Sequence, residues 1–207
     1  MPEAIAAIVL AGGQSSRMGQ DKALLPVQGT TLLGQTCAIA VQCAAPVLVV
    51  TPFLDRYRAI VPAPCQLVQE QPRGPEGLFQ GPAVGLVQGL QAVTQEWVLV
   101  LACDLPHLQV AGLQRWQAQI ATVTTAIALL PRTEQGWEPL CGFYRRGCLP
   151  SLQAFVGAGG RSLQRWLNTQ TVQAIAFADQ PHERDQEHAM LFNCNTPADL
   201  AQVRSQI

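Results

Sequence analysis

An apolar run that opens into a glycine-rich basic loop near the N-terminus constrains this chain most. Residues 5–10, Ile-Ala-Ala-Ile-Val-Leu, have the length and unbroken hydrophobicity of a buried β-strand. The loop that follows, residues 11–22, combines Gly12 and Gly13 with two serines, an arginine and a lysine. Glycines let a ligand approach the backbone closely, and exposed amides form a nest for anions. The segment therefore predicts a strand that ends in a binding loop for a phosphorylated ligand.

Two common phosphate-binding motifs do not match this loop. The spacing is neither Gly-x-Gly-x-x-Gly, the dinucleotide fingerprint, nor Gly-x-x-x-x-Gly-Lys-Ser/Thr, the ATPase loop. Residues 10–22 instead read Leu-Ala-Gly-Gly-x-x-x-Arg-Met-Gly-x-Asp-Lys. Without further context, the loop could also be a plain glycine-rich turn between a strand and a helix.

Apolar runs alternate with helical patterns through the first half of the chain. Short apolar runs predict strands at 47–50, 66–68 and 97–102, and apolar positions recur at helical spacing after Thr31 and from Pro82 onward. Buried strands that alternate with helices indicate an α/β fold with a mostly parallel central sheet and helices on both faces. Ligands bind such sheets at the carboxyl ends of the strands.

The second half of the chain is less regular. Strands are predicted at 125–130 and 139–144, and helices over 163–167 and after the cap at Thr196. The charge-dense stretch 179–188 holds two histidines among carboxylates. Its spacing matches no metal-ligand pattern, so we interpret it as a solvated loop.

Length and charge limit the classes of protein to consider. We expect one domain over the 207 residues, with a nucleotide-binding half at 1–107 and an acceptor-binding half at 108–207. The net charge of −1 argues against nucleic-acid or membrane-surface partners, which need clustered positive charge. No apolar run suits a membrane span, and no basic residue precedes the first one, as a secretion signal would require. The seven widely spaced cysteines predict reduced thiols in a cytoplasmic protein.

A single carboxylate follows the strand predicted at 97–102. The sequence there reads Ala102-Cys103-Asp104-Leu105-Pro106, and the proline ends the strand. An acid at the carboxyl end of a buried strand is a typical Mg²⁺ ligand, because this ion prefers few carboxylates together with phosphate oxygens. Asp104 is therefore the candidate metal ligand. The same residue could instead be an aspartate that caps the next turn.

Two further motifs accompany the loop and the acid. Residues 81–85, Gly-Pro-Ala-Val-Gly, predict a helix N-terminus beside the loop. Residues 192–197, Phe-Asn-Cys-Asn-Thr-Pro, place Asn193 and Asn195 in alternation, so both amides would face the same side of a short strand. The first motif could also be a plain helix start, and the second an amide-rich turn.

Together these motifs resemble those of the molybdenum cofactor guanylyltransferases, a MobA-type nucleotidyltransferase family with a Rossmann-like fold. The resemblance rests on residues 8–25, 81–85, 98–106 and 192–200. It implies a Mg²⁺-dependent enzyme that joins GMP from GTP to the terminal phosphate of molybdopterin or molybdenum-molybdopterin and releases pyrophosphate. Molybdoenzyme-assembly proteins are candidate partners on the same ground.

The resemblance also implies roles for individual residues. Arg17, Lys22 and Asp104 would be catalytic, with Asp104 on the metal. The implied nucleotide-binding residues are Leu10, Ala11, Gly12, Gly13, Arg17, Lys22, Glu70, Gly81 and Asp104. The expected acceptor-binding residues are Arg161, Asn193 and Asn195, and the two asparagines could instead orient the metal or the phosphates.

The base-reading position departs from the family pattern. Family members often carry an aspartate after the third strand to read the guanine edge, and Glu70 is the nearest match here. A carboxylate there can accept hydrogen bonds from N1–H and the 2-amino group. Its longer side chain leaves open a related transferase with another base or acceptor, such as a cytidylyl-molybdopterin or a sugar nucleotide product. A non-catalytic nucleotide-binding protein, or a molybdoenzyme-assembly protein without a nucleotide role, is also compatible with these residues.

Overall fold

A seven-stranded mixed sheet forms the centre of the protein. The computed structural model describes residues 4–12, 21–27, 29–71 and 81–205. In these ranges the strands are β1 (Ala6–Leu10), β2 (Pro26–Val27), β3 (Thr30–Thr31), β4 (Val47–Thr51), β5 (Gln66–Gln69), β6 (Trp97–Ala102), β7 (Ala128–Leu130), β8 (Arg132–Thr133), β9 (Gly136–Trp137), β10 (Cys141–Arg145) and β11 (Val172–Ala174).

The helices connect these strands and cover the sheet. They are α1 (Leu32–Cys43), α2 (Leu54–Tyr57), α3 (Pro82–Ala92), α4 (Val110–Ala118), α5 (Leu149–Gly157), α6 (Leu163–Leu167), α7 (Pro181–Ala189) and α8 (Pro197–Ser205). Short 3₁₀-helices span Lys22–Leu24, Gln119–Thr122 and Arg146–Cys148. Within the described part of the chain, no helix has the length and apolar character needed to cross a membrane.

The strand order confirms the predicted α/β architecture. The large sheet runs β11-β7-β10-β6-β1-β4-β5, and all neighbours pair in parallel except β10, which is antiparallel to β6 and β7. Strands from both halves of the sequence therefore share one sheet. Because β1 lies directly between β6 and β4, the residues that follow these strands meet at one edge.

The alternation of side chains along β1 explains its unbroken hydrophobicity. Ala7 and Val9 pack with α1 and α4 on one face, whereas Ala6 and Ile8 pack with α3 and α5 on the other. Helices thus cover both faces of the sheet, as predicted. A strand buried on both sides has no solvent-facing position to be polar, so its sequence shows no period of two.

Two glycines let α3 pack closely against β1. A Cβ on Gly89 would approach the Ile8 Cδ1 atom to 2.8 Å, and one on Gly85 would lie 3.3 Å from the Leu10 side chain. The helix begins at Pro82 after Gly81, whose positive φ of 84° suits a residue without a side chain. This packing brings the N-terminus of α3 to the carboxyl edge of β1.

The stretch 179–188 is mostly exposed to solvent, as interpreted, but it is not a loop, because most of it forms α7. The helix is held through Glu187, which is only 2% exposed. Its carboxylate accepts hydrogen bonds from the Arg115 guanidinium on α4 and, at 2.8 Å, from the backbone amide of Ala178. The Arg115 partner lies 72 positions away in the sequence, so the charge-rich composition alone did not indicate a helix.

The predicted cap at Thr196 is confirmed by a reciprocal pair of hydrogen bonds. The Thr196 hydroxyl accepts from the Asp199 amide at 3.2 Å, and the Asp199 carboxylate accepts from the Thr196 amide at 2.7 Å. The same carboxylate accepts a hydrogen bond from the backbone amide of Asn195 at 2.7 Å. These contacts fix the chain direction immediately before α8 and set the position of Asn195.

Candidate functional site

A cleft of about 360 Å³ opens where β1, β5 and β6 end. Seven of the nine predicted nucleotide-binding residues line it, namely Leu10, Ala11, Gly12, Lys22, Glu70, Gly81 and Asp104. The other two, Gly13 and Arg17, lie outside the described residues. The structure therefore brings together residues separated by more than ninety positions in the sequence, at the edge of the sheet where parallel α/β folds bind ligands.

Asp104 is anchored at the end of β6 by backbone contacts on two sides. The preceding residue, Cys103, donates its amide to the Leu10 carbonyl at 3.3 Å, and the Asp104 carbonyl accepts from the Cys194 amide at 2.9 Å. The second contact ties the segment before α8 to the cleft. Burial raises the pKa of the Asp104 carboxyl, and the Lys22 ammonium partly opposes this effect.

Lys22 joins the first loop to the two motifs that carry Asp104 and Asn195. Its Nζ atom lies 2.5 Å from the Asn195 Oδ1 atom and 3.5 Å from the Asp104 Oδ2 atom. The side chain keeps 20% of its surface exposed, so a ligand in the cleft can reach the ammonium group. A positive charge thus sits between two oxygen-bearing side chains from distant parts of the chain.

The oxygens around Lys22 are of the type that a hard cation prefers. Asp104 supplies a carboxylate and Asn195 an amide oxygen, both of which are ordinary Mg²⁺ ligands. In the described ranges, no three His, Cys, Asp or Glu side chains form a group that could hold a metal by themselves. One carboxylate with few protein partners suits an ion that takes its remaining ligands from phosphates and water.

Glu70 occupies a buried position at the far wall of the cleft. It follows β5 directly and is 5% exposed. Its Oε2 atom lies so close to the backbone of Gly12 that a Cβ there would approach it to 2.6 Å. Burial raises the pKa of this carboxyl to about 7. The site therefore holds an acid whose charge changes near neutral pH.

Asp21 and Tyr57 also line the cleft, although no local sequence pattern marks them as a pair. The Asp21 carboxylate caps the 3₁₀-helix that begins at Lys22, and the Tyr57 hydroxyl donates to it at 2.8 Å. Tyr57 lies on α2, a four-residue helix too short to show a periodic pattern. Only the three-dimensional proximity reveals the contact.

The two asparagines do not share one face of a strand, contrary to expectation. Residues 192–195 have no regular secondary structure. Asn195 contacts Lys22 in the main cleft, whereas Asn193 lines a smaller neighbouring cavity and donates to the Leu191 carbonyl at 3.2 Å. The backbone amides of Asn195 and Thr196 instead donate to the Asp199 carboxylate, which fixes the end of this segment just before α8.

Arg161 lies between α5 and α6. Its guanidinium donates to the carbonyls of Val156 and Gly160, at 3.2 and 2.8 Å. It lines neither the main cleft nor the smaller cavity beside Asn193. Its role toward an acceptor stays a prediction.

Nearly the whole chain matches one known protein family. The family model described as a MobA-like NTP transferase domain matches residues 7–200. The chain is 51% identical to a probable molybdenum cofactor guanylyltransferase of Trichormus variabilis, over 98% of this chain and 91% of that protein. A protein of the same description from Synechococcus elongatus is 44% identical over 94% of this chain and 95% of its own length.

A solved structure supports the same fold. The molybdopterin-guanine dinucleotide biosynthesis protein A of Archaeoglobus fulgidus superimposes with a TM-score of 0.75 at 20% identity, covering 98% of this chain and all of the compared chain. At this identity the likeness shows the fold alone.

Proposed function

The chain belongs to the MobA-like NTP transferase family, and on this premise we propose that it transfers GMP from GTP to the terminal phosphate of molybdopterin, releasing pyrophosphate. The product would be the guanine dinucleotide form of the molybdenum cofactor. The observation that carries the proposal is the meeting of Lys22, Asp104 and Glu70 in one cleft. These side chains offer a phosphate contact, a metal ligand and a base contact.

The proposed chemistry needs no strong general base. The attacking group is a phosphate oxygen that is already ionised at neutral pH. Catalysis then depends on aligning two anionic substrates and neutralising the charge that develops as pyrophosphate leaves. Lys22 would contact the α-phosphate and the leaving group, Arg17 would bind the triphosphate, and the backbone of Gly12 would border the phosphates.

The proposed reaction also uses Mg²⁺. Asp104, together with the Asn195 amide oxygen, would hold the ion, and the bound ion would supply Lewis-acid neutralisation of phosphate oxygens. Lys22 already contacts both side chains, at 3.5 and 2.5 Å, and would shift toward the phosphates when a substrate binds.

The acceptor would enter from the second half of the chain. A small cavity lined by Glu138, Leu140 and Asn193 shares Leu140 with the main cleft. A wider groove, lined by His107 and Arg132 among others, shares Glu138 with that cavity. We propose that a molybdopterin phosphate would reach the nucleotide along this row of cavities.

The enzyme is proposed to act in the cytoplasm. All seven cysteines are free thiols, which supports action in the reducing cytoplasm. Molybdoenzyme-assembly proteins are the proposed recipients of the product.

A product assay tests the proposed function directly. Each of the four nucleoside triphosphates is offered with Mg²⁺ and molybdopterin, and pyrophosphate release is followed. We expect release with GTP that requires the acceptor. Preference for CTP would identify a cytidylyltransferase, and nucleotide binding without turnover would identify a non-catalytic protein.

Replacing Glu70 by glutamine is expected to weaken GTP binding by about 1–3 kcal/mol, the usual size of a hydrogen bond to a charged group. Inosine triphosphate lacks the 2-amino group and should bind more weakly than GTP to the unmodified protein. The substitution should shrink that difference, because one acceptor oxygen becomes an amide donor. Equilibrium binding of both nucleotides measures the effect.

The pH dependence provides an internal check on Glu70. Burial raises the pKa of this carboxyl to about 7, so the preference for GTP over inosine triphosphate should grow as pH rises through that value. Both nucleotides carry the same triphosphate, so its own titration cancels. Glu96→Gln, which alters a surface carboxylate paired with Arg145, is the matched control. A preference for GTP over inosine triphosphate that is the same in Glu70→Gln as in the unmodified protein at every pH would assign base reading to different groups.

A further inference from the structure

The carboxylate of Asp21 is the centre of a polar cluster beneath the first loop. The Tyr57 hydroxyl lies 2.9 and 2.8 Å from its two oxygens, and the Arg56 guanidinium donates at 2.7 Å. The Ala23 amide donates to the same carboxylate at 3.1 Å. Three groups from two chain segments therefore hold one side chain that is only 12% exposed.

The contact with Ala23 links this cluster to Lys22. It caps the 3₁₀-helix Lys22–Leu24, in which Lys22 is the first residue. The capping aspartate fixes the backbone from which the lysine side chain extends. A long flexible side chain reaches a given point reliably only when its Cα is held, since ordering its many rotamers already costs entropy.

Of the two side chains that contact Asp21, that of Tyr57 is the more deeply buried. It is 1% exposed, belongs to the same core cluster as the buried face of α1, and meets the Phe53 ring edge-on at a centroid distance of 6.2 Å. Arg56, by contrast, has 47% of its side chain exposed. Ion pairs of such exposed side chains contribute little to the free energy of folding. Burial and the Asp21 carboxylate raise the pKa of the Tyr57 hydroxyl, which therefore remains a donor at neutral pH.

We infer that Tyr57 is a positioning residue for Lys22: its buried hydroxyl holds Asp21, and Asp21 holds the turn that aims the ammonium group at Asp104 and Asn195. The inference deepens the proposed function and rests on it for its catalytic consequence. Its structural part concerns only where the Lys22 ammonium lies, so it can be tested without turnover.

Lys22 is the only lysine in the sequence, which makes its position directly measurable. Acetic anhydride at limiting concentration acylates accessible amines, and mass spectrometry separates the Lys22 product from that at the N-terminus. In Tyr57→Phe, which keeps the packed ring and loses the hydroxyl, Lys22 should be acylated about three- to tenfold faster. The reason is that release from Asp104 and Asn195 makes the amine more accessible to the reagent.

Two further variants separate positioning from general loosening. Asp21→Asn keeps the shape of the cap and removes its charge, and it should also speed acylation of Lys22. Tyr144→Phe removes a comparable buried hydroxyl, which donates to the Pro139 carbonyl at 2.7 Å on the opposite face of the sheet. It should leave the acylation rate unchanged even if it lowers the melting temperature as much as Tyr57→Phe does.

A double-mutant cycle tests the catalytic consequence. Tyr57→Phe should lower kcat about tenfold with little change in the KM for GTP, because a small misplacement of a catalytic group is costly. In the Lys22→Ala background the same change should have no further effect on kcat. An acylation rate equal to that of the unmodified protein, or equal fold-losses in both backgrounds, would overturn the inference. Absence of GTP-dependent turnover in the unmodified protein would instead refute the proposed function, and the acylation rates would still decide the positioning role.

Discussion

Asp104→Asn is expected to abolish GMP transfer, with kcat reduced at least about 1,000-fold, while the protein remains folded. Asparagine keeps the size of the side chain but loses the charge that would hold Mg²⁺. The remaining acids that line the cleft are poor substitutes. Asp21 is held by Arg56 and Tyr57, and Glu70 lies against Gly12.

The stability of this variant should not fall in parallel. Burial raises the pKa of Asp104 in the folded protein, so its ionisation at neutral pH costs folding free energy relative to the unfolded chain. Removing the charge removes that cost, although the contact with Lys22 is also lost. We expect a melting temperature close to that of the unmodified protein.

Pyrophosphate release at saturating GTP, followed over a range of Mg²⁺ concentrations, measures the effect. Asp179→Asn, at an exposed position away from the cleft, is the matched control and should leave turnover unchanged. Near-normal turnover of Asp104→Asn at ordinary Mg²⁺ would remove Asp104 from the metal role.

Lys22→Ala is expected to lower kcat by about 10²–10³, the usual loss when one preorganised charge is removed from a developing anion, while GTP binding weakens much less. The reason is that the ammonium matters most as negative charge builds on the α-phosphate and the leaving group. Arg17→Ala should by contrast weaken GTP binding as well. Steady-state kinetics over a range of GTP concentrations separate the two patterns.

Chemical modification offers a second measurement of the same role. Since Lys22 is the only lysine, acylation that inactivates the enzyme in step with labelling of this residue reports on its ammonium group. Bound GTP should slow both the acylation of Lys22 and the loss of activity. Lys22→Arg should recover little activity, because a planar guanidinium does not reproduce the compact charge that the ammonium would present to the α-phosphate and the leaving group. A change confined to the KM for GTP in Lys22→Ala would contradict the transition-state role.

The fold and much of the cleft could be predicted from local sequence. The apolar runs of β1, β4 and β6 encode buried parallel strands, because a strand covered on both faces needs apolar residues at every position. Parallel pairing then forces their carboxyl ends to one edge. For that reason alone Gly12 and Asp104 could be expected together.

Contacts between distant segments could not be predicted in the same way. The charge-rich composition of α7 suggested a loop. The contact between Glu187 and Arg115 that holds the helix spans 72 positions, so no local pattern reveals it. Asn195 was expected on a strand face and instead reaches Lys22, 173 positions away. Neither pairing leaves a local periodic signal.

The sequence by itself determined which charged residues lie at the carboxyl edge of the sheet, since strands and turns are specified by patterns a few residues long. Only the tertiary structure decided how those charges behave. Packing between elements far apart in the chain buries Glu70 and raises its pKa to about 7. The same kind of packing brings the Tyr57 hydroxyl within hydrogen-bond distance of Asp21. Burial and hydrogen-bond partners are properties of the packed surroundings, so a local pattern cannot encode them.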